Sequence, residues 1–248
     1  MKTINWYLSL IIIFSLGACD KDSTPGQVLL ALNHSVKGDV LETDKYIYNC
    51  QAGHTYNVTN LKYYISNISL ESKEGSSVLL KDFHLMDIHS PETYQFNKSD
   101  IPEGTYTSLH FIFGLDAVTN VKNGLPNTVE NINMEWPIPG DQGYHYMKFE
   151  GRYDSLNTGK IRSFNIHTGA AKNNQNFFKV VLPITESYIN GDTWKFTVNM
   201  DLNEWLQNPN TFSFVGHEMI MTNQEAQLLL KANGASVFSI KSISQNPK

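Results

Sequence analysis

The chain has 248 residues, of which 41% are hydrophobic, and this is enough for a proper core in one large all-β domain or two small ones. Its formal net charge is −5. Removal of an N-terminal segment whose only charged residue is Lys2 would make the chain one charge more negative, and this balance argues against nucleic acid or an anionic membrane as the main partner.

The first 18 residues have the pattern of a bacterial lipoprotein signal peptide. Lys2 provides the basic start, an apolar run covers Trp6–Leu16, and LGAC at 16–19 is a lipobox. At a lipobox the chain is cleaved and its cysteine, here Cys19, is acylated. The apolar run is too short to remain as a membrane-spanning helix. The alternative is an ordinary secretory signal with an incidental cysteine.

Residues 19–26 then form a lipidated cysteine followed by a polar tether, DKDSTPG at 20–26. The acidic residues that follow Cys19 resemble the export tags of surface lipoproteins in some Gram-negative bacteria. We therefore expect an outer membrane lipoprotein of the bacterial cell envelope, facing the periplasm or the cell surface, with its folded domain at 27–248.

If Cys19 carries lipid, Cys50 is left without a cysteine to pair with. The fold then has no internal disulfide and depends on its core. Cys50 could be a metal ligand, but a small half-buried residue is the more frequent role of an isolated cysteine.

The first half of the domain has the alternation of β-strands. The first strand places Val28, Leu30 and Leu32 on one face and continues to His34 at its end. The strand at 61–70 changes parity, which predicts a bulge near Ser66-Asn67. The strand at 106–115 points Leu109, Phe111, Phe113 and Leu115 to a core. The long polar loop at 114–131 is of a length that is often functional.

The stretch MEWPIPGDQGYHYMKFEG at 134–151 is the densest in potential ligands and oxidisable aromatics. It predicts a loop at 137–143 and a strand at 144–150. Strict alternation points Tyr144, Tyr146, Lys148 and Glu150 one way and His145, Met147 and Phe149 the other way. Trp136, just before the loop, can cap the core or line a pocket.

The second half continues the β pattern and ends with one helix. The strand at 161–168 points Phe164 and Ile166 inward and His167 to the other face. Asn190-Gly191 predicts a hairpin, and a helix is predicted at 222–233 with a capping box of Thr222 and Glu225 and a stop at Gly234. About nine to eleven short strands predict an all-β fold, a single β-sandwich of immunoglobulin-like or jelly-roll-like type with one short C-terminal helix.

The usual catalytic motifs are absent from the sequence, which has no Gly-x-Ser-x-Gly elbow, phosphate loop, His-Glu-x-x-His or Cys-x-x-Cys. Glu150 is the best single carboxylate candidate, with a structural role as the partner of Arg152 or Arg162 as its alternative. The chain is therefore not expected to be an enzyme, and a hydrolase is disfavoured for want of a nucleophile and base.

Histidines are the informative residues, and the chain has eight. Three of them, His34, His145 and His167, lie at strand ends or on a predicted inward face, where they can converge at one mouth of a sandwich. Imidazole, thioether and thiolate groups suit copper and zinc. Each histidine taken singly is more often a hydrogen-bonded structural residue, so composition and spacing leave the ligand open.

Several segments, in order, resemble the MbnP family, periplasmic or surface copper-binding proteins associated with methanobactin-type copper operons. The resemblance covers roughly 28–238. The matching segments are the strand ending in His34, LKYYISNISL at 61–70, PEGTYTSLHFIFGLD at 102–116, MEWPIPGDQGYHYMKFEGRY at 134–153 and FNIHTG at 164–169.

The resemblance implies a copper-binding β-sandwich, with Cu(I) favoured, and a partner, a MauG-like di-haem peroxidase (MbnH). In characterised members the peroxidase oxidises a tryptophan to kynurenine, which then helps to hold the metal. Carried over to this chain, it implies Trp136 as the oxidisable aromatic, with Trp194 and Trp205 as alternatives. The implied metal ligands are His34, His145 and His167, and the possible secondary ligands are Met134 and Met147, for which core packing is the alternative role.

A second function stays open on the same fold, a surface lipoprotein that binds glycan or protein and no metal. Aromatic residues make up 12% of the chain. Among them Tyr144, Tyr146 and Trp205 could stack on sugars.

Overall fold

The computed structural model describes residues 24–137, 143–171 and 174–246. The predicted signal peptide, the lipobox cysteine Cys19 and most of the predicted loop at 137–143 lie outside the described residues. Among the described residues, no helix is long and apolar enough to span a membrane.

Twelve strands and two α-helices make up the described chain. The strands are β1 Gly26–Val36, β2 Asp39–Val40, β3 Tyr48–Asn49, β4 Thr55–Ser72, β5 Ser77–Asp87, β6 Gln95–Ile101, β7 Gly104–Phe113, β8 His145–Asp154, β9 Ile161–Gly169, β10 Phe178–Ile189, β11 Thr193–Asp201 and β12 Phe238–Asn246. The helices are α1 Val129–Ile132 and α2 Gln224–Asn233, with short 3₁₀ turns at Pro91–Tyr94, Ser155–Asn157, Leu202–Leu206 and Gly234–Ser236.

The strands form two sheets that face each other. The first sheet has the order β12-β11-β1-β2, with β6 also paired to β1, and its β1–β11 pair is parallel. The second has the order β10-β7-β4-β8-β9, with β3 and β5 also paired to β4. The long strand β4 pairs with β8 over 55–63 and with β7 over 65–72. The prediction of an all-β sandwich with one short late helix is confirmed.

The space between the sheets holds the main core, where β1, β4, β8, β9 and β11 contribute alternate side chains. Cys50 is in this core and is 5% exposed, more buried than predicted, and it is a free thiol among the described residues.

A second, smaller core covers the other face of the second sheet. Its members come from β4, β8 and the segment between β7 and β8: Tyr64, Leu115, Leu125, Met134, Tyr144 and Tyr146. Leu115 was expected in the main core. It belongs to the second core because Gly114 adopts a positive φ of 93°, which breaks the alternation at the end of β7.

Two local predictions have different outcomes. The bulge near Ser66-Asn67 is confirmed, since the β4–β7 register shifts between Ser66 and Ser69 and Asn67 has a φ of 50°. The capping box with Thr222 is wrong, because the N-cap is Asn223, whose side chain accepts from the Ala226 N–H. Asparagine caps a helix as well as threonine does, so the N-cap lies one residue later than predicted.

Candidate functional site

Within the stretch at 134–151, residues 134–136 are hydrogen-bonded to residues 143–145 at the start of β8. The Trp136 N–H donates to the Gly143 carbonyl at 2.8 Å, and the His145 N–H donates to the Met134 carbonyl at 2.7 Å. An antiparallel bridge joins Glu135 to Tyr144. These bonds fix Trp136 beside the first residues of β8.

A bulge in β8 decides which way His145 points. The register with β9 pairs His145 with Gly169 but Met147 with Thr168, so β8 carries one extra residue between them. Partners directly opposite each other share a face, and this places His145 on the same face as His167, away from Met147. The prediction that His145 and Met147 share a face is therefore wrong, because a bulge reverses strict alternation.

Trp136, His145 and His167 lie together on the outer face of the second sheet. The Trp136 and His145 ring centroids are 4.7 Å apart, and those of His145 and His167 are 5.0 Å apart at an interplanar angle of 89°. The indole rests on Gly169, where an added Cβ would lie 2.5 Å from the ring. A glycine at this position is therefore what lets the indole approach the strand.

His145 has a defined tautomer and a free lone pair. Its Nδ1 is 3.0 Å from the Met134 carbonyl oxygen, and because a carbonyl can only accept, Nδ1 carries the proton. Nε2 is buried and has no hydrogen-bond partner among the described residues. Burial, assisted by the positive charge of Lys148, lowers the pKa of His145 to about 3, so the imidazole is neutral at physiological pH.

Glu150 holds His167. Its Oε1 is 2.7 Å from His167 Nε2, and its Oε2 accepts from the Asn60 side chain at 3.2 Å. With Nε2 turned to a carboxylate, the other ring nitrogen of His167, Nδ1, is the one left to act as a ligand. The hydrogen bond from His167 lowers the pKa of Glu150 against the opposing effect of burial. The predicted partner Arg162 instead pairs with Glu218.

His34 lies elsewhere, on β1 of the first sheet. Its Nε2 is 3.1 Å from the Tyr63 hydroxyl, and its ring contacts those of Tyr63 and Tyr94 at centroid distances of 5.8 Å. Burial lowers the pKa of His34 to about 3. Its ring contacts thus link it to core tyrosines and not to His145 or His167.

The two methionines fill cores on opposite sides of the second sheet. Met147 is in the main core and Met134 in the second core, and both are 0% exposed. The alternative tryptophans also lie apart from the histidine pair, since Trp205 packs on Phe113 and Trp194 on Phe196. Among the described residues, Trp136 is the tryptophan whose ring contacts a histidine.

Two residues that hold Gly169 in place beside the Trp136 indole were not predicted from the sequence. The Gly169 N–H donates to the Gln227 side-chain oxygen at 3.1 Å, and the Asn176 side chain donates to the Gly169 carbonyl at 2.6 Å and to the same Gln227 oxygen at 3.0 Å. Gln227 is 1% exposed, and Asn176 is 4% exposed. A polar residue within the apolar stripe of α2 was the available signal for Gln227.

The nitrogen donors at this site are two imidazoles. Among the described residues no group of three or more His, Cys, Asp or Glu side chains is arranged to hold a metal. One of the two imidazoles has an orphaned buried Nε2. Imidazole suits copper and zinc, whereas calcium takes oxygen ligands.

Comparison with known proteins gives one family and one fold. The family model described as MbnP matches residues 25–246. The structure of MbnP from Methylosinus trichosporium is similar with a TM-score of 0.52 at 15% sequence identity, over 76% of this chain and 80% of that chain. A search of curated proteins finds no match to the sequence.

Proposed function

The chain belongs to the MbnP family, and from this premise we propose that it is a lipid-anchored, extracytoplasmic copper-binding protein. His145 and His167 are the ligands, Cu(I) is the favoured ion, and Trp136 is the aromatic that a di-haem peroxidase partner converts to a further ligand. The lipid is attached at Cys19. The chain supplies two imidazole nitrogen donors and an aromatic ring to the soft cation.

One observation supports the metal most directly, the unpartnered Nε2 of His145. A buried polar atom without a partner costs about 1–3 kcal/mol, so native structures rarely keep one without a reason. Here the lone pair lies beside a second imidazole, and its neighbours fix the tautomer in which it can bind a metal. A ligand at Nε2 would remove this cost.

Trp136 shares with Trp194 and Trp205 a buried indole Nε1 that has no hydrogen-bond partner among the described residues, but of these three Trp136 is the one whose ring contacts a histidine. An indole offers only an N–H donor, whereas kynurenine offers an aromatic amine and a ketone oxygen. Conversion at this position would thus place new donors within ring contact of His145.

Copper titration tests the proposal. Purified protein, made with and without a di-haem peroxidase partner, is titrated with Cu(I) under anaerobic conditions. We expect stoichiometric binding by the wild type and at least a tenfold loss of affinity in His145→Ala, since one of two nitrogen ligands is removed. The matched control is His89→Ala, because His89 is exposed and its side chain bonds to the Thr59 carbonyl, away from the histidine pair. Equal affinity in the wild type and His145→Ala would refute the ligand assignment.

The glycan-binding alternative loses the feature that suggested it. Tyr144, Tyr146 and Trp205 are 3%, 0% and 1% exposed, so their faces are not available to stack on a sugar. A glycan array with the wild-type protein is the direct check, and we expect no hits.

The contact between His54 and Ser213 does not favour a hydrolase. His54 Nε2 is 3.0 Å from the Ser213 hydroxyl, but its Nδ1 accepts from the Leu156 N–H. A neutral imidazole that accepts at Nδ1 carries its proton on Nε2. His54 therefore cannot take a proton from Ser213, as a general base must.

A further inference from the structure

Lys148 lies on the same face as the two candidate ligands. It is directly opposite His167 in the β8–β9 register, and such partners share a face. Its ammonium donates to the Asn133 carbonyl oxygen, one residue before the Met134 carbonyl that binds His145. Lys148 also acts electrostatically on His145, since its charge disfavours protonation of that imidazole.

Among the described residues, charges of both signs act near the histidine pair. Glu150 acts on both His145 and Lys148, and it keeps its negative charge while its oxygens are bonded to His167 and Asn60. Lys62 adds a second positive charge that acts on Lys148, and it is paired with Asp87 at 2.7 Å. The Lys148 charge therefore offsets the attraction of Glu150 for cations, which would otherwise be strongest for divalent ions.

We propose that Lys148 sets the charge selectivity of this site, so that a monovalent soft cation is admitted and divalent ions are opposed. The inference rests on the proposed function, because it assumes that His145 and His167 hold a cation. Coulomb repulsion is proportional to the charge of the ion, so a divalent ion meets twice the repulsion of a monovalent ion at the same position. For a nearby fixed charge at protein-like dielectric, this is on the order of tenfold in affinity for each unit of ionic charge.

A charge effect of Lys148 has a consequence that a purely structural role would not have. If replacing Lys148 with an uncharged residue raises the affinity for a monovalent ion by some factor, it raises the affinity for a divalent ion by about the square of that factor. Loss of packing or of the Asn133 hydrogen bond would instead weaken both ions together. The ratio of the two affinities is therefore the informative quantity.

The experiment compares Ag(I), a redox-inert monovalent probe, with Zn²⁺ by competition titration. Wild type, Lys148→Gln, Lys148→Leu and the charge-preserving control Lys148→Arg are measured in a Cys50→Ala background, so that no thiol of the folded domain binds silver. We expect the Zn²⁺-to-Ag(I) affinity ratio to rise about tenfold in the Gln and Leu variants and to stay unchanged in Lys148→Arg. The Leu variant provides the comparison if Lys148→Gln does not fold.

The outcomes separate the two proposals. An unchanged ratio in the uncharged variants, with Ag(I) still bound, would overturn the role of Lys148 and leave the histidine site in place. A wild-type protein that binds no Ag(I) would overturn the proposed function and this inference together. A ratio that rises in Lys148→Arg as well would also overturn the inference, because the charge is retained there.

Discussion

At the scale of single residues, the candidate site depends on which nitrogen of each imidazole is free. Backbone and carboxylate acceptors decide this, since the Met134 carbonyl binds Nδ1 of His145 and Glu150 binds Nε2 of His167. Such outer partners fix both the tautomer and the ring orientation of metal-ligating histidines. The chemistry of the pair is thus set by residues that would not touch the metal.

Gly169 gives a residue-scale prediction about the indole. In Gly169→Ala the new Cβ would lie 2.5 Å from Trp136, so the ring must move, and we expect a loss of about 1–3 kcal/mol of unfolding free energy. Urea denaturation measures the loss. The matched control is Gly104→Ala, where the nearest atom is at an ordinary 3.9 Å.

The same substitution in a Trp136→Ala background identifies the cause. Without the indole the added methyl has room, so we expect most of the loss from Gly169→Ala to disappear. Equal losses in the two backgrounds would show that the clash with Trp136 is not what makes glycine necessary.

At the scale of elements, three parts of the chain converge on the end of β9. The β8 bulge turns His145 outward, the segment after β7 brings Trp136, and α2 anchors Gly169 through Gln227. The helix α2 follows β9 by more than fifty residues, yet its Gln227 holds the backbone of Gly169 in place. We call this contact the α2 clamp.

Gln227→Leu tests this clamp. The substitution leaves the buried Gly169 N–H without its acceptor and removes one acceptor of the Asn176 amide, and we expect a loss of about 1–3 kcal/mol of unfolding free energy. Hydrogen exchange of the Gly169 amide should accelerate in Gln227→Leu, whereas a substitution on a distant surface should leave it unchanged. The control is Gln95→Leu on the exposed strand β6. Unchanged protection of Gly169 would contradict the clamp.

At the scale of the whole molecule, buried neutral histidines tie stability to pH. Burial lowers the pKa values of His34 and His145 to about 3 and that of His84 to about 4, below the ordinary value of 6.5. Between these values the unfolded chain binds more protons than the folded one. Stability is therefore complete above pH 6.5 and declines as the pH falls through this window.

The variant His34→Gln measures the contribution of one buried histidine to the pH dependence of stability. Between pH 7.5 and pH 5 each such histidine removes about 2 kcal/mol of stability, so the variant should lose less stability over this interval than the wild type by about that amount. Urea unfolding at the two pH values gives the difference. An unaltered pH dependence in His34→Gln would refute the assignment.

Much of the architecture follows from local patterns in the sequence. Alternation identified the strands, and Gly234 marked the end of the helix, because strand period and turn chemistry are properties of a few adjacent residues. The hairpin predicted at Asn190-Gly191 is wrong, since β10 pairs with β7 in the second sheet while β11 pairs with β1 and β12 in the first, so the turn there connects the two sheets. The stretch at 134–151 was also marked by its composition alone. Those signals suffice for an all-β sandwich with one helix, which the structure has.

The tertiary structure decided which candidate ligands meet. A single extra residue in β8 moved His145 to the face of His167, and register shifts of this kind depend on pairing across strands. His34 ended in contact with Tyr63 because the two sheets pack face to face, and Gln227 reached Gly169 from a helix far along the chain. The sequence by itself determines residue types and local periods. Side chains from distant segments come together only when the core packs and the strands pair.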